Sequence, residues 1–158
     1  MPETLYIERI GKPAFSVIGK EGSTDDGDGF IAGLWDEANA GYAEIAPLAV
    51  TDETGMPVGV WGLMTDFGRQ FLPWEDGFSR GLYLAGAECK DDAVPPHGWF
   101  KWSVPGFVYL RTENNAPDIF SRMIAYLTSE NIPLAGAVQE MTHPASGKSY
   151  LYFPVERL

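Results

Sequence analysis

The pattern of hydrophobic and polar positions alternates along the chain between the two-residue period of a strand and the spacing of an amphipathic helix. Residues 5–19 have strand character that is interrupted at Gly11–Pro13. Apolar residues from Phe30 to Tyr42 then follow helical spacing, and two more strands are predicted over 57–66 and 81–89. The first half of the chain therefore predicts the order strand–helix–strand–strand.

The same order is predicted again after the proline-containing linker 91–98. A strand over 99–112 is broken at its centre, a helix begins near Pro117, and strands follow over 133–142 and 149–155. The segment Pro13–Phe15 aligns with Pro105–Phe107, 92 residues later. We interpret the chain as a single domain, 1–158, built from the pseudo-repeats 1–92 and 97–158. The predicted fold class is α+β, with an antiparallel sheet and two helices.

The segment 134–141 carries a carboxylate in an apolar context. With the period of a strand, Glu140 shares a face with Gly136 and Val138. A carboxylate on such a face is costly unless it is paired, protonated or facing a ligand. The glycine also removes a side chain that would otherwise fill the core. Together with the aromatic strand 99–111, these residues predict a cavity that contains Glu140.

The charge balance narrows the classes of partner. Acidic residues outnumber basic ones 22 to 11, which gives a formal net charge of -11. Without a basic stripe, direct binding to nucleic acid is not expected, and the same acidity disfavours docking on an anionic membrane. It attracts cations instead. The sequence shows neither a signal peptide nor an apolar run that could span a membrane, so we expect a soluble, cytoplasmic protein.

Motifs for metals and cofactors are missing from the sequence. His97 and His143 lie in or beside predicted turns and have no ligand spacing around them, and a single cysteine, Cys89, excludes an intramolecular disulfide. The acidic loop 25–29 lacks oxygen ligands where a calcium loop needs them, and we interpret it as a helix-capping loop. We therefore expect no metal and no cofactor.

In the order of its predicted strands and helices, the chain resembles the GyrI-like small-molecule-binding domain. The resemblance rests on the two strand–helix–strand–strand units, a tryptophan in the first helix, a glutamate on the penultimate strand and the closing Tyr-Leu-Tyr-Phe-Pro-Val at 150–155. This domain is also called the AraC-type effector-binding domain, and it occurs in multidrug-responsive bacterial transcription regulators and as stand-alone proteins. The resemblance covers nearly the whole chain and implies a ligand groove between the two units.

The resemblance also implies roles for particular residues. Glu140 would meet a cationic or polarised aromatic ligand, and Tyr150 or Tyr152 would line the groove. The family often places aromatic residues directly after its glutamate, whereas Met141 and Thr142 follow here. This departure leaves the identity of the ligand open.

The predicted ligand-binding residues are Glu140 and a set of aromatic side chains. Ring faces would contribute about 0.5–2 kcal/mol each to binding a cation. The aromatic candidates are Trp35, Trp61, Trp99, Trp102, Tyr109, Tyr150 and Tyr152. Gly59 would leave open space beside Trp61. Each aromatic residue could instead belong to the core, and Glu140 could instead be a structural carboxylate paired with Arg111 or Lys101.

These observations favour reversible binding of a hydrophobic, aromatic small molecule, with cations included, as in a multidrug or effector-binding module. The resemblance implies one alternative, because a subset of the stand-alone members is similar to hydrolases of strained, cyclopropanoid-type electrophiles, and Glu140 would then be the catalytic general base. It also implies another, a protein-interaction role such as the gyrase antagonism known in the family. Whether the chain is an enzyme, and whether it takes a protein partner or forms a homodimer, is left open by the sequence.

Overall fold

The computed structural model describes residues 5–158, and eight strands in this range form one sheet. In chain order the strands and α-helices are β1 (Glu8–Lys12), β2 (Phe15–Ser23), α1 (Phe30–Ala40), β3 (Val60–Thr65), α2 (Glu75–Phe78), β4 (Leu82–Cys89), β5 (Phe100–Val104), β6 (Phe107–Glu113), α3 (Ile119–Ser129), β7 (Gln139–His143) and β8 (Lys148–Arg157). Short 3-10 turns cover Thr24–Asp26, Tyr42–Glu44 and Ala46–Leu48. Within the described range, no helix has the length and apolarity needed to cross a membrane. The predicted α+β class with an antiparallel sheet is confirmed.

The strand order is β1-β6-β8-β7-β3-β4-β2-β5, and every pair is antiparallel. Strands β2, β3 and β4 form one half of the sheet, β6, β7 and β8 form the other, and the halves meet at the β3–β7 pair. Strand β1 is first in the chain but pairs with β6 of the second half. Strand β5 follows the first half in the chain and precedes β6, but it pairs with β2 of the first half. The chain changes partners at Pro13 and Pro105, because proline cannot donate to a ladder. The duplication of the sequence itself stays a prediction.

Both long helices cover the same face of the sheet. Helix α1 packs on Ile18 and Ala85 of the first half, and α3 packs on Leu151 and Phe153 of the second. Directly paired residues point to the same side of a sheet. One row of paired residues crosses the centre and consists of Ala85, Gly62, Glu140 and Leu151. Its two ends lie under the two helices, which defines this side as the helix face.

The opposite side is packed with large aromatic side chains, and we call it the aromatic face. It gathers residues from strands near both edges of the sheet, as expected where a sheet curls into a half-barrel. Its buried members include Phe15, Trp61, Trp102, Phe107, Tyr109 and Tyr152. The rings of Trp61 and Tyr152 lie with centroids 5.0 Å apart, within the range of favourable aromatic pairs.

A pair of facing glycines lets strands β2 and β4 approach closely. Gly19 and Gly86 are direct partners in this ladder. A Cβ added to Gly86 would overlap the carbonyl of Ile18, and one added to Gly19 would overlap the carbonyl of Ala85. The close approach is between backbones, which cannot yield as a side chain can.

The region before β7 departs from the sequence-based expectation. Strand β7 begins at Gln139, so residues 134–138 are not part of it. A Cβ on Gly136 would lie 2.8 Å from the ring of Phe107 and 2.8 Å from the carbonyl oxygen of Phe71. The missing side chain therefore admits the Phe107 ring and leaves no cavity. Gly59 behaves in the same way, because the indole of Trp61 itself occupies the space beside it.

The acidic loop after β2 also differs in detail. Ser23 accepts a hydrogen bond from the Asp25 amide (3.1 Å), and Asp26 accepts one from the Ser23 amide (2.8 Å). These contacts cap the 3-10 turn, whereas α1 begins after Gly29, which has a left-handed conformation and no side-chain cap. The short segment α2 is a turn in which Asp76, Gly77 and Phe78 all have positive φ, and it had no counterpart in the predicted order.

Buried tyrosines are a further property of this core. Tyr83 is 3% exposed, and burial raises its pKa to about 12, because the effect of burial outweighs the lowering by the Trp35 hydrogen bond. The negative charge of Glu140 adds a smaller rise. Burial also raises the pKa of Tyr109. Both phenols are therefore neutral over the physiological range.

We predict that Gly86→Ala destabilises the protein by about 1–3 kcal/mol, because the added methyl group must push two backbones apart. The matched control is Gly33→Ala in α1, where an added Cβ meets nothing within 4 Å. This control should stabilise by about 0.5–1 kcal/mol through helix propensity. Urea unfolding measures both, and equal effects of the two substitutions would contradict the close approach of β2 and β4.

We predict that Tyr83 makes stability fall at alkaline pH. An unfolded tyrosine ionises near pH 10, whereas the folded side chain holds its proton until about pH 12. The contribution of Tyr83 is therefore complete below pH 10 and is lost as the pH rises through 12, a change of roughly 2–3 kcal/mol. Urea unfolding from pH 9 to 12 should show wild type losing stability relative to Tyr83→Phe. A difference that does not change with pH would count against this burial.

Candidate functional site

Glu140 lies on the helix face, in the part of the sheet that is between α1 and α3. Its row neighbours are Gly62 on one side and Leu151 on the other. The side chain is half-buried, and its Oε2 accepts a hydrogen bond from the Asn114 amide at 2.8 Å. Within residues 5–158, Glu140 forms no ion pair with a lysine, arginine or histidine.

The two cations considered as structural partners of Glu140 are engaged elsewhere. Arg111 contacts both carboxylate oxygens of Glu8, at 3.0 and 3.1 Å. Lys101 donates to the backbone carbonyl of Asp91. The structure therefore does not form either of the ion pairs that the sequence left open for Glu140.

Asn114 is positioned by the end of β6. Its backbone amide donates to the carbonyl of Ser149 at 2.8 Å, which continues the pairing of β6 with β8 by one residue. Thr112, two residues earlier, is paired with Leu151 in the same row as Glu140. The two-residue period then places the Asn114 side chain on the helix face. Sequence reasoning missed this residue, although its spacing from Thr112 is a usable signal.

Tyr83 and Trp35 form the other side of the cleft. The Tyr83 side chain extends over Gly62, where an added Cβ would overlap its hydroxyl. The indole Nε1 of Trp35, on α1, donates to that hydroxyl at 3.1 Å. The ring of Phe30 meets Tyr83 edge-on with centroids 6.5 Å apart. Gly62 thus makes the room that lets a tyrosine of the first half reach towards the carboxylate of the second half.

We use the name interhelix cleft for the part of the helix face between α1 and α3 that is formed by Glu140, Asn114, Gly62, Tyr83 and Trp35. It combines a carboxylate, a neutral amide, a phenol and an indole, contributed by both halves of the sheet. The carboxylate is partly withdrawn from water and is compensated by one neutral donor. Because a desolvated carboxylate is most strongly stabilised by an opposite charge, this arrangement suits a positively charged group with apolar surroundings.

Most of the other predicted aromatic residues lie on the aromatic face, away from Glu140. They are Trp61, Trp102, Tyr109, Tyr150 and Tyr152. Side chains alternate along β8, so Leu151 faces the helices while its two tyrosine neighbours point to the other side. The sheet therefore separates Glu140 from these rings. Of the predicted aromatic set, Trp35 is the member that the structure brings to the interhelix cleft.

Trp99 has a third location. It packs with the α1 side of the core, near the end of that helix, where Gly41 leaves space for its ring. The ammonium of Lys20 lies 4.2 Å from the centroid of the Trp99 ring. This tryptophan is 4% exposed and already contacts a cation of the chain.

The aromatic face has carboxylates of its own, which sequence reasoning did not single out. Trp61 Nε1 donates to Glu88 at 3.1 Å, and Trp102 Nε1 donates to Glu21 at 2.6 Å. Arg69 adds two hydrogen bonds of 2.8 Å to Glu21. Burial raises the pKa of Glu21, but the hydrogen bonds from Arg69 and Trp102 outweigh this effect and leave the pKa below its usual value. Glu21 and Glu88 lie at strand positions that alternate with apolar residues in β2 and β4. This pattern was the signal in the sequence that could have identified both acids.

Comparison with known proteins was made by family, by sequence and by structure. No protein-family model matches the chain, and no curated protein matches its sequence. Solved structures do match over nearly the full length. The EcmrR C-terminal domain has a TM-score of 0.62 at 14% identity, with 99% of this chain and 100% of that one covered.

Two other structures match to a similar degree. SAV2435, solved bound to tetraphenylphosphonium, has a TM-score of 0.60 at 14% identity, covering 98% of this chain and 94% of that one. The integron cassette protein VCH_CASS2 from the mobile metagenome of Vibrio cholerae has a TM-score of 0.55 at 17% identity, covering 98% and 100%. These identities establish the fold alone. The chain therefore shares its fold with these proteins. This agrees with the fold that the resemblance to the GyrI-like small-molecule-binding domain implied.

Proposed function

We propose that the chain binds a hydrophobic organic cation in the interhelix cleft, with Glu140 at the floor. The main support for this proposal is the environment of the Glu140 carboxylate. Glu140 is half-buried and hydrogen-bonded to the neutral Asn114, and it has no ion-pair partner in the described part of the chain. A ligand cation would supply the missing opposite charge.

The physical reason is the cost of withdrawing a carboxylate from water. One amide donor replaces only part of the hydration that the Glu140 carboxylate loses on partial burial. A cation bound beside it would gain a Coulombic interaction that is stronger in the cleft than at an open surface. The formal net charge of -11 would add long-range attraction for the same class of ligand.

The apolar part of the ligand would lie against the aromatic wall of the cleft. Trp35 is half-buried and supplies the accessible ring, and its indole is held by a hydrogen bond to Tyr83, which is itself buried against the ring of Phe30. A fixed wall of this kind costs little conformational entropy when a ligand binds. The structure of SAV2435 with tetraphenylphosphonium supports a lipophilic cation as the ligand class for this fold.

We predict that Glu140→Gln weakens the binding of tetraphenylphosphonium by about tenfold or more, equivalent to ~1.4 kcal/mol. Glutamine keeps the shape of the side chain and can still accept from Asn114, so the substitution removes mainly the charge. Isothermal titration calorimetry gives the dissociation constant, and quenching of tryptophan fluorescence gives an independent reading, since Trp35 borders the cleft.

Two further variants make this experiment specific. Glu130→Gln removes the same charge from an exposed position at the end of α3, and it should leave the affinity within about twofold of wild type. Glu88→Gln removes a carboxylate from the aromatic face and should likewise have little effect on this ligand. Wild-type protein that shows no saturable binding, or a loss in Glu88→Gln that exceeds the loss in Glu140→Gln, would overturn the proposal.

A further inference from the structure

The aromatic face contains a compact cation site at the place where the chain passes from β1 to β2. The ammonium of Lys12 lies 4.4 Å from the centroid of the Phe15 ring and 5.6 Å from that of Trp61. The same ammonium is 3.4 Å from Oε1 of Glu88. Two ring faces and a carboxylate thus converge on a single positive charge.

The carboxylate of this site is held in place by the protein itself. Trp61 Nε1 donates to the same Oε1 atom of Glu88, at 3.1 Å. Phe15 and Trp61 also contact each other, with ring centroids 4.7 Å apart. Both rings are buried and pack within the aromatic core, so packing with the rest of the core holds them in position. This arrangement favours a site that is preorganised for a cation.

Lys12 itself is the least constrained member of the site. It is the last residue of the edge strand β1, directly before the break at Pro13. Its side chain is 25% exposed, and that of Glu88 is 16% exposed, so the site is open to solvent at one side. A four-carbon stem in this position can move its ammonium into water without disturbing the sheet.

We propose that Lys12 is a tethered occupant of a second cation site, formed by Phe15, Trp61 and Glu88, and that a free quaternary ammonium ion binds there in competition with it. This site lies on the opposite side of the sheet from the interhelix cleft. It does not depend on Glu140 and is independent of the function proposed above.

Ring faces together with a carboxylate are the groups that recognise a quaternary ammonium ion. A trimethylammonium group has this chemistry in a small head, and it needs far less space than four phenyl rings around one centre. A tethered ammonium competes at an effective concentration in the millimolar range or above. Free ligand should therefore bind wild-type protein weakly and bind much more tightly once Lys12 is neutralised.

The test uses choline as the probe, in protein that also carries Glu140→Gln so that the interhelix cleft is inactivated. Lys12→Met keeps the aliphatic stem and removes the charge, and it should tighten choline binding by about tenfold or more in calorimetry. Adding Glu88→Gln to Lys12→Met should abolish the gain. The uncharged analogue 3,3-dimethylbutan-1-ol has the same shape and should not bind.

Lys20→Met is the matched control, because Lys20 also holds its ammonium over an indole, at 4.2 Å from the Trp99 centroid, on the α1 side of the protein. It changes the net charge equally and should leave choline affinity unchanged. The indole N–H resonance of Trp61, identified by its loss in Trp61→Phe, should shift with choline in Lys12→Met and, at higher concentration, in protein that retains Lys12. This last measurement requires no substitution in the site.

Unchanged choline affinity in Lys12→Met, or an equal gain in Lys20→Met, would overturn the proposal. A Trp61 indole resonance that choline does not move in any variant would also overturn it. These outcomes are distinct from failure of the interhelix cleft, which is measured separately with tetraphenylphosphonium in protein that retains Glu140.

Discussion

The alternation of side chains across the β3–β7 pair determines which functional groups of this protein can meet. This pair joins the two halves of the sheet, and its register aligns Gly62 with Glu140 and Trp61 with Met141. A shift of β7 by one residue would turn Glu140 towards the buried rings and Met141 towards the helices. The separation of the carboxylate from the aromatic cluster is therefore a consequence of this register.

A small residue in the row of Glu140 shapes the space between the helices. Gly62 stands where any side chain would collide with the Tyr83 hydroxyl. With the centre of the row occupied by glycine and glutamate, α1 and α3 pack at its ends, on Ala85 and Leu151. The helices thus stay apart because the residues between them offer little apolar surface to bury.

Much of the fold was accessible from the sequence, because hydrophobic period, proline breaks and helix spacing are local signals. The order of strands and helices followed from them. The site was harder to predict. The sequence placed Glu140 together with Tyr150 and Tyr152, but register sends those tyrosines to the other face, and register depends on pairing that no local pattern encodes. Gly136 was misleading for a similar reason. A glycine in a sequence is equally consistent with a cavity and with space for the ring of a residue distant in sequence, here Phe107.

The two faces differ in how their carboxylates are compensated, and this difference decides where an external cation gains most. On the aromatic face Glu21 is paired with Arg69 and Glu88 with Lys12, so an incoming cation must displace one that is already tethered. On the helix face Glu140 has the neutral Asn114, and no such displacement is needed. The number of aromatic rings does not decide where a cation gains most, because the aromatic face has more rings than the helix face. The decisive feature is a partly buried negative charge that the described chain leaves without a positive partner, and this favours the helix face for the ligand of higher affinity.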